Sequence, residues 1–198
     1  MYKKQMTIQR VICFLSLIAS VLVFLYALGL MTDLYDSLYP MMRNPDNLLE
    51  TDVPGSIIYY DMQPFNRSLL RVSIGLILLS CLLFITNTSV RRKYYVGNYA
   101  AVALNVIANA ATALWAHGQL AAFKAQYLQI DFASLEMWSS IWETPYIGPE
   151  STFWFDAHYA VFALTLLSSA LLIVNVIWKI KLMKEEKSLI EAGKAVSA

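Results

Sequence analysis

Four runs of the chain contain no charged residue, and each is long enough to cross a membrane. They cover residues 11–32, 72–90, 94–123 and 157–178. A helix rises about 1.5 Å per residue, so about 20 apolar residues cross the hydrocarbon core of a bilayer. Charged residues make up 15% of the chain, whereas roughly a quarter is usual in soluble domains. The sequence therefore predicts an all-α integral membrane protein, a four-transmembrane-helix bundle with two structured extracellular loops.

Two of these runs have unusual lengths. Residues 94–123 exceed one straight crossing but are too short for two crossings and a turn, so we predict one helix that tilts or projects beyond the bilayer. Residues 11–32 follow a basic segment, as in a signal peptide. Because this run exceeds the roughly 7–15 apolar residues of a signal peptide, we predict a retained helix.

Charge is distributed unequally between the two sides of the predicted bundle. Outer loops at 33–71 and 124–156 have a net charge of −7, whereas the N-terminus, the inner turn 91–93 and the tail 179–198 together have +8. Basic residues flank spans on the cytoplasmic side of membrane proteins. We therefore predict a plasma-membrane protein with both termini in the cytoplasm. The predicted inner basic anchors are Arg91, Arg92, Lys93, Lys179 and Lys181.

Both outer loops have features of local structure. All six prolines lie in them, where helices must stop. In the first loop, the first helix is expected to continue outward until Pro40, and residues 56–60 are expected to form a short extended segment. In the second loop, helical spacing predicts a helix that lies in the outer interface or packs as a cap over the bundle. The residues with this spacing are Leu135, Trp138, Ile141 and Trp142.

Polar residues recur along the third span at intervals of 7, 4, 3 and 7, which places them on one face of a helix. They are Asn98, Asn105, Asn109, Thr112 and Gln119. Alanines surround this face, and small and amide residues commonly mediate contacts between membrane helices. One interpretation is therefore a central helix that hydrogen-bonds its neighbours. The alternative is a polar path, lined by the third span in an oligomeric channel.

Two histidines form a second candidate site. His117 and His158 lie at comparable depths from the outer ends of their spans, and Asp156 precedes His158. Two imidazoles on adjacent helices can bind haem b axially, or hold a metal with a carboxylate. The simpler interpretation is a pair of polar residues that hydrogen-bond near a wet interface. Since the chain has only two histidines, we expect no cofactor.

The chain lacks zinc, P-loop and dinucleotide motifs and any nucleophile paired with a base, and its net charge of +1 gives no indication of nucleic-acid binding. Serines on apolar faces of spans are expected to bond back to their own helices. They are Ser73, Ser80, Ser168 and Ser169. The topology resembles that of tetraspan proteins such as claudins and connexins. The outer loops contain no cysteine, unlike those families, so no family membership is inferred.

These observations predict a non-enzymatic accessory or structural subunit of a larger membrane complex, for instance a transport complex. Its partners would be the lipid bilayer and either other membrane subunits or further copies of the chain. An oligomeric channel and a haem- or metal-binding redox subunit are the alternatives.

Overall fold

A computed structural model describes residues 2–37, 53–88, 96–141 and 151–196. Within these ranges the chain is helical apart from short turns, and it contains no strand. The helices are α1 (Tyr2–Ser37), α2 (Ile58–Asp61), α3 (Gln63–Thr88), α4 (Val96–Tyr127), α5 (Phe132–Ile141) and α6 (Phe153–Val196).

Four helical segments are long and apolar enough to cross a membrane. They are Lys3–Met31, Ile58–Thr88, Asn98–Tyr127 and Phe153–Ala192. A helix suits this environment because it pairs its backbone N–H and C=O groups internally, where no water is present to bind them. The protein is therefore an all-α, multi-pass membrane protein built as a four-helix bundle, as predicted. The long third run forms a single helix, and α6 continues through the predicted tail.

Each long helix extends beyond its uncharged run at the predicted outer end, and α3 extends furthest. Helix α3 begins at Gln63, nine residues before the second uncharged run. Pro64 is tolerated there because it lies in the first turn, where a missing N–H breaks no bond within the helix. The predicted extended segment at 56–60 is wrong. Residues Ile58–Asp61 form a helical turn, with Ile58 and Tyr59 each only 1% exposed. Their burial outweighs the intrinsic preference of such residues for strands.

The chain divides into two compact units. The termini unit comprises Met1–Ser20, Leu76–Ala110 and Leu164–Ala198, and the loop unit comprises Val21–Gly75 and Ala111–Ala163. In the termini unit, apolar side chains from all four long helices pack together around Cys13 and Leu83. The other buried members of this cluster are Ile12, Ala101, Val102 and Leu172.

Aromatic side chains form the centre of the loop unit. The ring of Tyr127 lies 6.2 Å from that of Tyr59, 5.0 Å from that of Phe132 and 5.0 Å from that of Phe155. Tyr59, Tyr127 and Phe155 are each 1% exposed. These residues come from α2, α4, α5 and α6, so the described parts of both predicted outer loops share a packed core. The helix predicted around Leu135 is α5, while the side chain of Trp138 and the whole of Trp142 lie outside the described residues.

Asp131 caps α5. Its carboxylate accepts hydrogen bonds from the backbone N–H groups of Ala133 and Ser134, at 3.1 and 3.2 Å, and from the Ser134 hydroxyl at 2.6 Å. The Ser134 hydroxyl is the main reason why the pKa of Asp131 lies below its ordinary value, and the backbone bonds lower it further. An N-terminal carboxylate stabilises a helix because it satisfies free N–H groups.

We predict that α5 loses stability in acid. Because the pKa of Asp131 is lower in the folded protein than in the unfolded chain, the cap stabilises α5 above the unfolded pKa, and this is lost as pH falls through the folded pKa. Amide hydrogen-exchange protection of α5 should therefore fall as pH drops below about 4, the ordinary pKa of an aspartate. The variant Asp131→Asn should remove this change, whereas Glu136→Gln, at an exposed carboxylate of the same helix, should retain it. Equal pH dependence in both variants would contradict the prediction.

Candidate functional site

A layer of small polar side chains joins the four long helices within the termini unit. Ser80 of α3 lies at its centre. Its hydroxyl lies 2.8 Å from the Ser20 hydroxyl and accepts a hydrogen bond from the Asn105 amide at 3.0 Å. The Ser16 hydroxyl donates to Asn105 Oδ1 at 3.1 Å. We call this set the serine–asparagine layer; its members are Ser16, Ser20, Ser80, Asn105, Asn109 and Ser169.

Asn109 extends the serine–asparagine layer to α6. Its amide nitrogen donates to Asn105 Oδ1 at 3.1 Å and to the Ser169 hydroxyl at 3.0 Å. The Ser169 hydroxyl in turn donates to the Thr165 carbonyl. Asn109 Oδ1 is buried and has no hydrogen-bond partner among the described residues. The other hydrogen bonds of the layer join a donor to an acceptor on the same helix or on a neighbouring one.

A second polar layer in the termini unit is built from amide side chains. Gln5 Nε2 donates to Gln9 Oε1 at 2.8 Å and to Asn175 Oδ1 at 3.2 Å. Gln9 Nε2 donates to the Asn87 carbonyl, and Asn87 Nδ2 donates to the Asn98 carbonyl at 3.3 Å. The four side chains of this glutamine–asparagine layer, from Gln5, Gln9, Asn87 and Asn175, are at most 5% exposed. These side chains lie on α1, α3 and α6, and α4 contributes the backbone carbonyl of Asn98.

The polar stripe predicted on the third span lies on α4, and most of it is buried. Asn98, Asn105, Asn109 and Thr112 are between 0% and 6% exposed. Gln119 is exposed instead. The stripe therefore faces its neighbours along most of its length, and Gln119 takes no part in either layer.

The expectation for the serines is confirmed in part. Ser73, Ser168 and Ser169 donate to carbonyls of their own helices, but Ser80 bonds across helices to α1 and α4, so its prediction is wrong. Its partners on α1, Ser16 and Ser20, were missed. Their spacing of four residues within an apolar run is the one sequence signal that could have identified them.

The two histidines meet in the loop unit. His117 Nδ1 lies 3.0 Å from His158 Nε2, and His158 Nδ1 lies within hydrogen-bond distance of the Phe155 carbonyl. A carbonyl only accepts hydrogen bonds, so His158 must carry its proton on Nδ1, and a neutral His158 presents Nε2 as an acceptor. His117 then donates through Nδ1. In this assignment, Nε2 of the exposed His117 is the one ring nitrogen of the pair that has no hydrogen-bond partner among the described residues.

Asp156 pairs with other groups. Its carboxylate accepts a bond from the Lys124 ammonium at 2.6 Å and one from the Thr152 hydroxyl at 2.8 Å. Within the described ranges, no group of three or more His, Cys, Asp or Glu side chains is arranged to hold a metal. A metal bonds imidazole nitrogen at about 2 Å, so two nitrogens on opposite sides of one ion lie about 4 Å apart. At 3.0 Å, the two rings hydrogen-bond directly and leave no space for an iron atom between them.

The predicted basic anchors differ in their surroundings. Arg91, Arg92 and Lys93 lie outside the described residues. Lys181 is exposed, whereas Lys179 is only 2% exposed and its ammonium lies 5.5 Å from the centre of the Tyr99 ring. Lys179 thus packs against an aromatic face within the termini unit, where a cation is attracted to the ring electrons.

No protein-family model, curated protein or solved structure matches the chain. The chemistry of the two polar layers follows from their side chains, which are amides and hydroxyls. These groups donate and accept hydrogen bonds but do not change charge in the physiological pH range. The arrangement is therefore suited to holding helices together in an apolar environment.

We predict that the cross-helix bonds of Ser80 stabilise the bundle. The variant Ser80→Ala should lower the free energy of unfolding by about 1–2 kcal/mol, because it leaves buried partners on α1 and α4 without a bond. Ser73→Ala is the matched control: this serine is also fully buried on α3 but donates only to the Leu70 carbonyl. Its loss should cost less than about 0.5 kcal/mol. Reversible unfolding in mixed micelles measures both values, and equal losses would contradict the prediction.

We also predict the protonation pattern of the histidine pair. Nitrogen-15 NMR at neutral to mildly basic pH should show His158 protonated on Nδ1, with Nε2 in a hydrogen bond. The variant His117→Ala should shift the His158 Nε2 resonance and leave Nδ1 nearly unchanged, because the Phe155 carbonyl remains in place. A haem absorption band in the purified protein, or a His158 proton on Nε2, would contradict the assignment.

Proposed function

We propose that this membrane protein is a non-enzymatic accessory subunit, which assembles laterally with a transmembrane helix of another membrane protein through α4. The proposal rests mainly on a run of exposed small residues on α4, which stands beside large exposed side chains like those of the other long helices. Exposed residues on those helices include large apolar side chains such as Phe14 on α1, Leu78 on α3 and Val174 on α6, which are 55%, 65% and 63% exposed. Such side chains suit contact with acyl chains.

The part of α4 in the loop unit exposes small residues beside Leu114 and Trp115, which are 75% and 38% exposed. We call these small residues the small-residue face; they are Ala111, Gly118, Ala121, Ala122 and Ala125, all exposed. A Cβ atom built on Gly118 would meet nothing within 4 Å, so the chain itself leaves this position open. Small residues let two membrane helices approach closely, and spacings of four, as between Gly118 and Ala122, recur where such helices cross.

Two exposed polar side chains accompany the small-residue face. His117 and Gln119 flank Gly118 in sequence and are both exposed. An exposed amide or imidazole on a membrane helix is costly next to acyl chains and favourable next to a hydrogen-bonding partner. Both side chains therefore favour a protein neighbour over lipid, and they would give the contact its specificity.

The buried polar layers support a structural role over conduction. Their hydrogen bonds join helices of the same chain, and the amide nitrogens of Asn105 and Asn109 donate to neighbouring side chains. A polar path would instead require such groups to be available to a passing solute. The small-residue face and the polar layers together favour a self-contained bundle whose outer surface binds a partner.

We further propose that the bundle lies in the plasma membrane with both termini in the cytoplasm. The basic excess on the side of the termini supports this orientation, because Lys and Arg accumulate next to spans on the cytoplasmic side. The aromatic core of the loop unit would then lie outside the cell.

The proposed assembly is tested with two glycine variants. Gly118→Leu should remove the partner from the complex purified in mild detergent, because the larger side chain prevents close approach. Gly75→Leu is the matched control, since Gly75 lies on α3 and a Cβ there also meets nothing within 4 Å. The purified complex should keep its partner in this control. Native mass spectrometry measures the stoichiometry of both variants.

A photo-reactive residue at position 122 identifies the occupant of the small-residue face. It should cross-link to a transmembrane helix of the partner in the wild-type background and lose this product in Gly118→Leu. Cross-linking only to a second copy of the chain would replace the accessory role with self-association. Equal partner content in Gly118→Leu and Gly75→Leu would overturn the proposal.

A further inference from the structure

A cavity of about 240 Å³ lies beside the first turns of α3 in the loop unit. The described residues that line it are Met31, Gln63, Asn66 and Arg67. Met31 is the last residue of the candidate membrane span in α1. The cavity therefore combines apolar surface from the end of a span with polar groups from a helix N-terminus.

Asn66, one of the residues that line the cavity, has an unused acceptor. The residue is 3% exposed, and its amide nitrogen faces the Leu30 carbonyl at 3.5 Å. Because a carbonyl can only accept, this contact fixes the orientation of the amide and leaves Oδ1 on the other side. Asn66 Oδ1 has no hydrogen-bond partner among the described residues. A buried polar atom in this state is stabilised by any ligand that donates to it.

Arg67 supplies positive charge. Its side chain is exposed and donates one hydrogen bond, to Gln63 Oε1 at 3.1 Å. A guanidinium has five N–H groups, so most of its donors stay available. None of the described carboxylates forms an ion pair with it. The first turn of a 26-residue helix adds a partial positive charge, which favours an anion.

We propose that this cavity binds the head group of a phospholipid. In this assignment, the phosphate binds the Arg67 guanidinium, an N–H or O–H group of the head group donates to Asn66 Oδ1, and the acyl chains leave along the apolar surface at Met31. Phosphatidylethanolamine has both the phosphate and the donor. Phosphatidylcholine has the phosphate, but its trimethylammonium group has no N–H. The proposal is independent of the small-residue face of α4.

Lipid binding to the delipidated protein tests this site. Native mass spectrometry is used to titrate phosphatidylethanolamine and phosphatidylcholine with identical acyl chains. The wild type should bind the ethanolamine lipid about tenfold more tightly, and Arg67→Gln should weaken its binding by about tenfold. Arg71→Gln is the matched control, because this arginine is exposed one turn further along α3 and does not line the cavity. It should bind like the wild type.

Asn66→Leu separates the roles of the two groups. It should reduce the preference for ethanolamine over choline, while Arg67→Gln weakens binding of both lipids. Because Asn66 is buried, the thermal unfolding midpoint of this variant is compared with that of the wild type, and Asn66→Ser is used if leucine prevents folding.

Equal binding of both lipids to the wild type would overturn the proposal, as would unchanged binding in Arg67→Gln. Soluble glycerophosphoethanolamine is the last arm: binding as tight as that of the lipid would identify a free phosphodiester as the ligand instead.

Discussion

The structure depends on the need of polar side chains inside a membrane to hydrogen-bond within the protein, as Asn105 does with Ser80. In a bilayer, no water is present to satisfy a polar side chain, so each amide or hydroxyl in a span must find a partner in protein. Asn105 donates to Ser80 on α3 and accepts from Ser16 on α1. Because apolar surface is equally well accommodated by lipid, burial alone does not select one packing of four helices. The directional bonds in the serine–asparagine layer make the positions of the helices within the termini unit specific.

The two units achieve this specificity with different chemistry. The termini unit combines neutral polar layers with a cluster of small and aliphatic residues around Cys13. The loop unit instead packs aromatic rings around Tyr127 and has the Lys124–Asp156 ion pair and the histidine pair. Aromatic rings bury a large area and interact through preferred geometries. They suit a core that joins the ends of the long helices α4 and α6 to the short helices α2 and α5, which have too few residues to form long interfaces.

The sequence predicts the parts of this structure that a single helix determines. Uncharged runs predict the four long helices, and the spacing of Asn98, Asn105 and Asn109 predicts a polar face on α4. Interactions between helices are harder to predict. Nothing in an apolar run indicates that Ser16 and Ser20 have a partner in Ser80, because this depends on which helices are neighbours. The helical turn Ile58–Asp61 was missed for a related reason: its residues favour strands, and burial against the rest of the loop unit decides its conformation.

The same solvent constraint applies to the outer surface of the protein. Exposed positions that suit acyl chains are large and apolar, so departures from that pattern indicate where something other than an acyl chain is bound. Two departures occur in the loop unit: the small-residue face beside His117 and Gln119, and the cavity where Asn66 has an unpaired oxygen beside Arg67. The first offers close approach with hydrogen bonds beside it, which suits a helix. The second offers a charge and a buried acceptor next to apolar surface, which suits a head group. Each surface thus selects its ligand by the interaction that acyl chains cannot supply.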